Sequence, residues 1–248
     1  SLGYLDQADA QVQGGLTMKR QHGTPFNLSF ALSNVTLVYL IRNEPQNVHE
    51  LIEESIAIAS EHGFIQSLSQ SLVIKGWYLV QIGKPRKGLQ TIEQGITIWR
   101  EQIGSNLIVT FFLWAKAIAF GALEDFQNGL NSLNEAITLS EGGERFWLAE
   151  LWRTKGIYLH KTGKADELIE NHFKQAIRIA QAQKGKALEL RATNSLAEWY
   201  LDKGRHTETQ ALLTEITGWF TEGFDTAVYQ KALSLLKIAF DASQQQKD

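Results

Sequence analysis

The sequence predicts an all-α fold: a right-handed superhelical solenoid of helix pairs, closed at its C-terminal end by a single capping helix. Three observations carry this. Turn-like residues Gly3, Asn43, Gly83, Glu124, Gly163 and Gly204 recur at spacings of 40, 40, 41, 39 and 41 residues. Small or apolar residues further along each period, Gly15, Ser55, Gly95, Ala136, Ala176 and Ile216, recur at spacings of 40, 40, 41, 40 and 40. Within each period apolar residues return every three or four positions, as in Leu51, Ile52, Ser55, Ile56 and Ala59, and no two-residue alternation persists.

Each period divides into two helices. The first of each pair is predicted over 25–42, 64–82, 106–123, 146–162 and 187–203, and the second over 5–22, 47–62, 86–103, 125–140, 166–183 and 208–221. Pro25, Pro45 and Pro85 stand at helix starts, where a missing N–H costs nothing. Glu124/Asp125 and Asp166/Glu167 open helices, where free N–H groups stabilise a carboxylate. Gly23, Gly63, Gly104, Gly142, Gly185 and Gly223 follow second helices, where glycine can take the left-handed conformation that ends a helix. The last helix is predicted over 225–242, with Asp225 as its N-cap, followed by a polar tail over 243–248.

One pair cannot bury its own apolar stripe, so residues 1–242 are expected to stack into one domain. The chain opens at a turn position, so the helix over 5–22 lacks a preceding partner. It is expected to expose an apolar face, as in a fragment of a longer protein.

Composition narrows the function. A hydrophobic content of 44% supports a large core, and a net charge of −3 argues against charge-driven nucleic-acid binding. With no cysteine there is no disulfide, thiolate nucleophile or Cys-ligated metal. No basic region precedes an apolar run at the N-terminus. The most apolar stretch, 108–123, is too short to span a bilayer and contains Lys116, so no membrane contact is expected and the cytoplasm is the expected compartment.

A repeated helix pair with a Gly-containing turn is the tetratricopeptide (TPR) plan. Gly76, Gly83, Gly88 and Gly95 occupy its small-residue positions, and Phe120 and Tyr200 its aromatic one. The period of about 40 exceeds the usual 34, so each helix gains about a turn. The segments 218–226 (GWFTEGFDT), 143–156 (GERFWLAELWRTKG) and 188–192 (LELRA) resemble the C-terminal TPR region of large bacterial class III adenylate or guanylate cyclase–signalling ATPase proteins, and more distantly the helical arrays of maltose-regulon-type activators. Glu124 departs from the usual glycine, and an extra residue sits between Gly163 and Ala176. The resemblance implies a regulatory module without catalytic residues. Cyclase carboxylates and an ATP-binding loop would lie upstream.

The residues agree. The run 83–90 (GKPRKGLQ) lacks the Lys-Ser/Thr that a phosphate loop requires. His22, His49, His62, His160, His172 and His206 include no i, i+4 metal pair, and Glu53/Glu54 belong to a solvated helix face. No Gly-x-Ser-x-Gly elbow occurs. No cofactor and no metal are expected.

The TPR register instead gives a concave surface. It places Phe30, Ser33 and Leu37 there, then Gln70, Val73 and Trp77, then Phe111, Trp114 and Ile118. Glu150, Arg153 and Ile157 follow, then Arg191, Asn194 and Glu198. Trp99 and Trp219 fall instead at core phases. The candidate binding groove is therefore Phe30, Leu37, Trp77, Phe111, Trp114, Arg153 and Arg191, aromatic in one half and charged in the other. The alternative is that longer helices curl the array tightly, the aromatics pack on each other, and Glu150 and Glu198 neutralise the arginines. The expected role is a sensor and protein-interaction module. Its partner would be a protein or peptide, the upstream ATPase or effector of the same protein included, or a small anion, but neither nucleic acid nor membrane. A free-standing peptide-binding adaptor is the alternative.

Overall fold

The computed structural model describes residues 3–245. Twelve α-helices succeed one another and no strand occurs among the described residues: α1 (Leu5–His22), α2 (Pro25–Arg42), α3 (His49–His62), α4 (Ile65–Gln81), α5 (Pro85–Gln102), α6 (Val109–Ala122), α7 (Phe126–Glu141), α8 (Leu148–Lys161), α9 (Asp166–Ala182), α10 (Lys186–Asp202), α11 (His206–Thr217) and α12 (Ala227–Gln245). A 3-10 turn at Pro45–Asn47 leads into α3. The bounds of α1 and α2 coincide with those predicted. The last helix starts later than predicted and continues past residue 242 to Gln245; residues 246–248 of the predicted tail lie outside the described residues. Among the described residues no helix is long and apolar enough to cross a membrane.

Consecutive helices pack against each other, and α2, α4, α6, α8, α10 and α12 also pack in series, forming an inner layer. The five turns that follow inner helices share one geometry. Asn43, Gly83, Glu124, Gly163 and Gly204 have φ of 60°, 77°, 59°, 64° and 70°. In each, the next residue's N–H bonds a carbonyl five positions back: Glu44 to Tyr39, Lys84 to Leu79, Asp125 to Phe120, Lys164 to Leu159 and Arg205 to Tyr200, at 2.8–3.0 Å. This is the αL helix stop with its six-to-one bond, and it is why the ladder is legible in the sequence.

The turns after outer helices are less uniform. Gly63, Gly104 and Gly223 take positive φ as expected, but Gly23 and Gly142 do not. Gly23 is extended, as is Thr24, which directly precedes Pro25 and caps α2 by accepting the Asn27 N–H on its hydroxyl at 3.3 Å. At α9 the left-handed residue is Lys184, and Gly185 follows it.

The close approach anticipated from the repeat glycines occurs between α4 and α5. A Cβ on Gly88 would lie 2.6 Å from the Gly76 carbonyl oxygen, and one on Gly95 would lie 2.7 Å from that of Ser69.

The expectation of an open N-terminal face does not hold. Leu5 and Leu16 are buried, and the far end of the array covers the start of α1. Glu222 accepts from the backbone N–H groups of Asp6 and Gln7 at 3.1 Å each, and Asp6 accepts from the Gly223 N–H at 2.9 Å. Tyr4 and Trp219 approach with centroids 5.7 Å apart. The free N–H groups of α1 thus find a carboxylate on the opposite end of the chain. Trp219 therefore lies beyond α11 and is 37% exposed, not in the core.

Two substitutions test the turn and packing arguments by urea unfolding. Glu124→Gly is expected to stabilise the fold by about 1 kcal/mol, because glycine relieves the left-handed backbone. Gly88→Ala is expected to cost about 1–3 kcal/mol, because its methyl group meets backbone.

Candidate functional site

The aromatic half of the inner surface is filled. Trp77, Phe111 and Trp114 are buried, each at 2% exposure or less. Trp147, from the segment entering α8, inserts against two of them, with ring centroids 4.9 Å from Phe111 and 5.3 Å from Trp114. The Trp114 indole N–H donates to Thr154 Oγ1 at 3.1 Å, so its polar atom is satisfied inside the stack. These three residues therefore belong to the core and do not line an accessible groove. Trp147 was not among the groove candidates, because it precedes its helix and has no place in the inner-helix register. Phe30 is exposed but lies at the rim, stacked at 6.2 Å on Phe26, and Leu37 is half-buried against the core.

The charged half is organised around Glu150, which is 1% exposed. Arg153 and Arg191 both clamp it through two hydrogen bonds of 2.7–3.0 Å. Burial by itself would raise the Glu150 carboxyl, but the two guanidinium groups override it and hold it well below the ordinary carboxylate range. Glu150 also sits in the first turn of α8, at the positive end of that helix. The third guanidinium nitrogen of each arginine is engaged as well. Arg153 Nη1 reaches Ser195 Oγ at 3.2 Å. Arg191 Nη1 reaches the carbonyls of Ile41 at 3.1 Å and Leu40 at 3.4 Å, in the last turn of α2. Glu198 pairs with Lys231 at 2.8 Å, not with the arginines.

What stays open on the inner surface is a trough between α8, α10 and α12. At one end a cavity of 180 Å³ is walled by Asn43, Arg153, Arg191, Asn194, Ser195, Ala227, Val228 and Lys231. Next to it, sharing Ser195, is a cavity of 500 Å³ whose apolar walls are Ile157, Phe173, Trp199, Leu201, Leu235 and Ile238. His160, Lys161, Glu198 and Asp202 rim it, with His160 Nε2 3.4 Å from Asp202 Oδ2. Arg153, Ile157, Asn194 and Glu198 thus keep the inward phase that the repeat register assigns them. The contribution of α12 could not be read from the register, because α12 follows an irregular segment at 218–226.

No protein-family model matches the chain. An uncharacterized protein of Rhizobium meliloti (strain 1021) is 28% identical over 166 residues, a match that takes in 66% of this chain but only 16% of that protein's length. Among solved structures, a Rap protein complexed with Competence and Sporulation Factor aligns over 97% of this chain and 71% of its own, at 12% identity and a TM-score of 0.66. A STAND signal-transduction ATPase with a tetratricopeptide repeat sensor, from Pyrococcus horikoshii, aligns over 97% of this chain and 38% of its own, at 12% identity and a TM-score of 0.60. TPR-like repeats of a kinesin-light-chain-type protein from Podosopora anserina align over 78% of this chain and 94% of theirs, at 17% identity and a TM-score of 0.53. The chain is thus an all-α, TPR-like solenoid.

Glu150→Gln is expected to destabilise the fold by about 2–4 kcal/mol, because it leaves two part-buried guanidinium groups without their counter-charge. The folded carboxyl titrates below its unfolded value of about 4.3. Its contribution is therefore complete above that pH and is lost as the pH falls toward the lowered folded value. Urea unfolding from pH 7 down to pH 3 should show a steeper acid loss in the native sequence than in Glu150→Gln.

Proposed function

We propose that this chain is a non-catalytic regulatory module that recognises a protein or peptide in the trough between α8, α10 and α12, and so controls a signalling ATPase or effector in the same polypeptide. The observation that carries the reading is that the trough is open, apolar along its floor and charged along its rim, where Trp77, Phe111 and Trp114 in the other half of the inner surface are packed. Apolar concave surfaces with a few placed polar groups are where solenoids take ligands. Likeness to a STAND protein whose repeats are named a sensor supports the regulatory role, and a match confined to a small part of a longer relative supports a module working beside other domains.

A macromolecular ligand fits better than a small anion. An anion aimed at Arg153 or Arg191 would have to displace Glu150, which already holds both. Asn43, at the end of α2, and Val228, at the start of α12, both wall the smaller cavity. A ligand seated there touches both ends of the array. Tighter binding to one curvature would shift the population of array shapes by that difference in affinity.

The test is hydrogen exchange on this chain mixed with the ATPase region of its parent protein. Protection is expected in α8, α10 and α12, and Ile238→Asp or Lys161→Glu should weaken binding about tenfold while leaving the helical signal unchanged. Ile238 is 53% exposed, so its replacement does not open the core. Protection confined to the outer helices would overturn the reading. Trp114→Ala, in contrast, should cost about 3–5 kcal/mol of stability, as a core truncation does.

A further inference from the structure

Between the outer helices α9 and α11, apart from the trough, two cavities of 330 and 170 Å³ share Gln181, Lys186, Glu189 and Trp219 as walls. They lie at the seam where the two ends of the chain meet: Tyr4, from the N-terminal end, and Lys184 complete the walls of the larger one. Together they have the size of a site for a small organic molecule. The floor is Glu189, only 6% exposed. Gln181 Nε2 donates to its Oε1 at 3.0 Å. Lys186 Nζ stands 2.8 Å from Oε2 in ionic contact, but Oε2 accepts no hydrogen bond, so the ammonium protons stay free for another acceptor. The same ammonium lies 5.7 Å from the centre of the Trp219 ring. A buried carboxylate thus fixes a cation in the cavity wall beside an exposed indole.

A second cation stands at the mouth. Lys184 is exposed, has no ion-pair partner among the described residues, and takes φ of 54°, the left-handed conformation that Gly63, Gly104 and Gly223 take after other outer helices. Glycine would hold that turn at lower cost, so backbone geometry does not account for a lysine there. In the larger cavity two lysines face one carboxylate, and the surplus charge is positive. Trp219 and Tyr4, both exposed and with ring centroids 5.7 Å apart, offer flat apolar surface beside it. The smaller cavity adds apolar wall from Leu212 and Ile216, and Glu215 there repels a second negative group.

We propose that this seam is a binding site for a small organic monoanion with a flat ring, its anionic group held by Lys184 and Lys186 and its ring laid against Trp219 and Tyr4. Tyr4 comes from one end of the chain and Trp219 from the other, so an occupant bridges the two ends and tightens the closure of the array. The site is independent of the trough and of what the trough binds.

The experiment titrates the intact chain, isotope-labelled for NMR, with benzoate. Benzamide keeps the ring and loses the charge, acetate keeps the charge and loses the ring, and terephthalate carries a second carboxylate at the far end. The indole N–H signal of Trp219 is assigned by its absence in Trp219→Phe. Benzoate should move that signal, and each of the other three should bind about tenfold more weakly or less well still. Lys184→Gly separates binding from structure: it should raise the urea midpoint, because glycine suits the left-handed turn, and yet weaken benzoate about tenfold, the scale of one hydrogen bond to a charged group. Tyr4→Ala should weaken benzoate as well. The indole shift is read in the native sequence, so it stands even where a variant folds poorly. Equal binding of benzamide, or unchanged affinity in Lys184→Gly, would overturn the anion reading. A Trp219 signal that stays in place at millimolar benzoate, or movement of the Trp199 signal in the trough instead, would overturn the site, and neither result bears on the trough as a protein-binding surface.

Discussion

A carboxylate taken out of water must be matched by charge and hydrogen bonds, and Glu150 is buried almost completely. Its two arginines come from different inner helices, Arg153 from its own α8 and Arg191 from α10, so the relative position of those helices is set by one bidentate clamp on each side. Arg191 then extends the network across the ring. Its remaining nitrogen meets the Ile41 carbonyl at the negative end of α2, a group with no partner inside its own helix, and more distantly that of Leu40, which also accepts from the Asn43 N–H. Charge therefore alternates from the start of α8, through Glu150 and the guanidinium groups, to the end of α2. An array that would otherwise remain an open spiral is tied at a point where helices 150 residues apart in sequence meet.

That tie explains the interior. Once α2 and α10 are in contact, the inner surface has room either for side chains or for a ligand, and the first half of the chain fills it with tryptophan and phenylalanine. The second half carries charge at the corresponding positions, which satisfies itself in pairs and leaves the trough. The outer seam repeats the logic at lower burial, with Glu222 capping the first turn of α1 from the opposite end and Tyr4 against Trp219. Both closures place charge or an acceptor on a helix end that the repeat leaves unsatisfied.

The repeat was legible because it rests on backbone chemistry. Left-handed turn positions admit glycine and asparagine readily, and five turns of the same kind leave a ladder that needs no knowledge of contacts. Even Glu124, chemically out of place, is marked by its position. The inward phase of each inner helix was legible for the same reason, and it put Glu150, Arg153, Arg191 and Asn194 on one surface. Accessibility was not legible. Whether Trp77 or Trp114 faces solvent depends on how far the whole array curls, and that depends on pairs such as Arg191 with Ile41 that no local pattern records. Trp147 and the contribution of α12 to the trough escaped because both enter from irregular segments.

The closure also bears on how such a module would respond to a ligand. A spiral with free ends can change pitch by small adjustments at every turn, each nearly independent of the others. A ring held at Arg191 and again at Glu222 cannot, because a change at one inner helix must be absorbed at the seam. The trough lies beside that seam: Asn43 from α2 and Val228 from α12 face the same cavity as Arg191. A ligand seated in the trough would share its walls with the closure, and if it bound one closure geometry more tightly than another the coupling would be reciprocal: a change in the closure would alter affinity in the trough by the same factor.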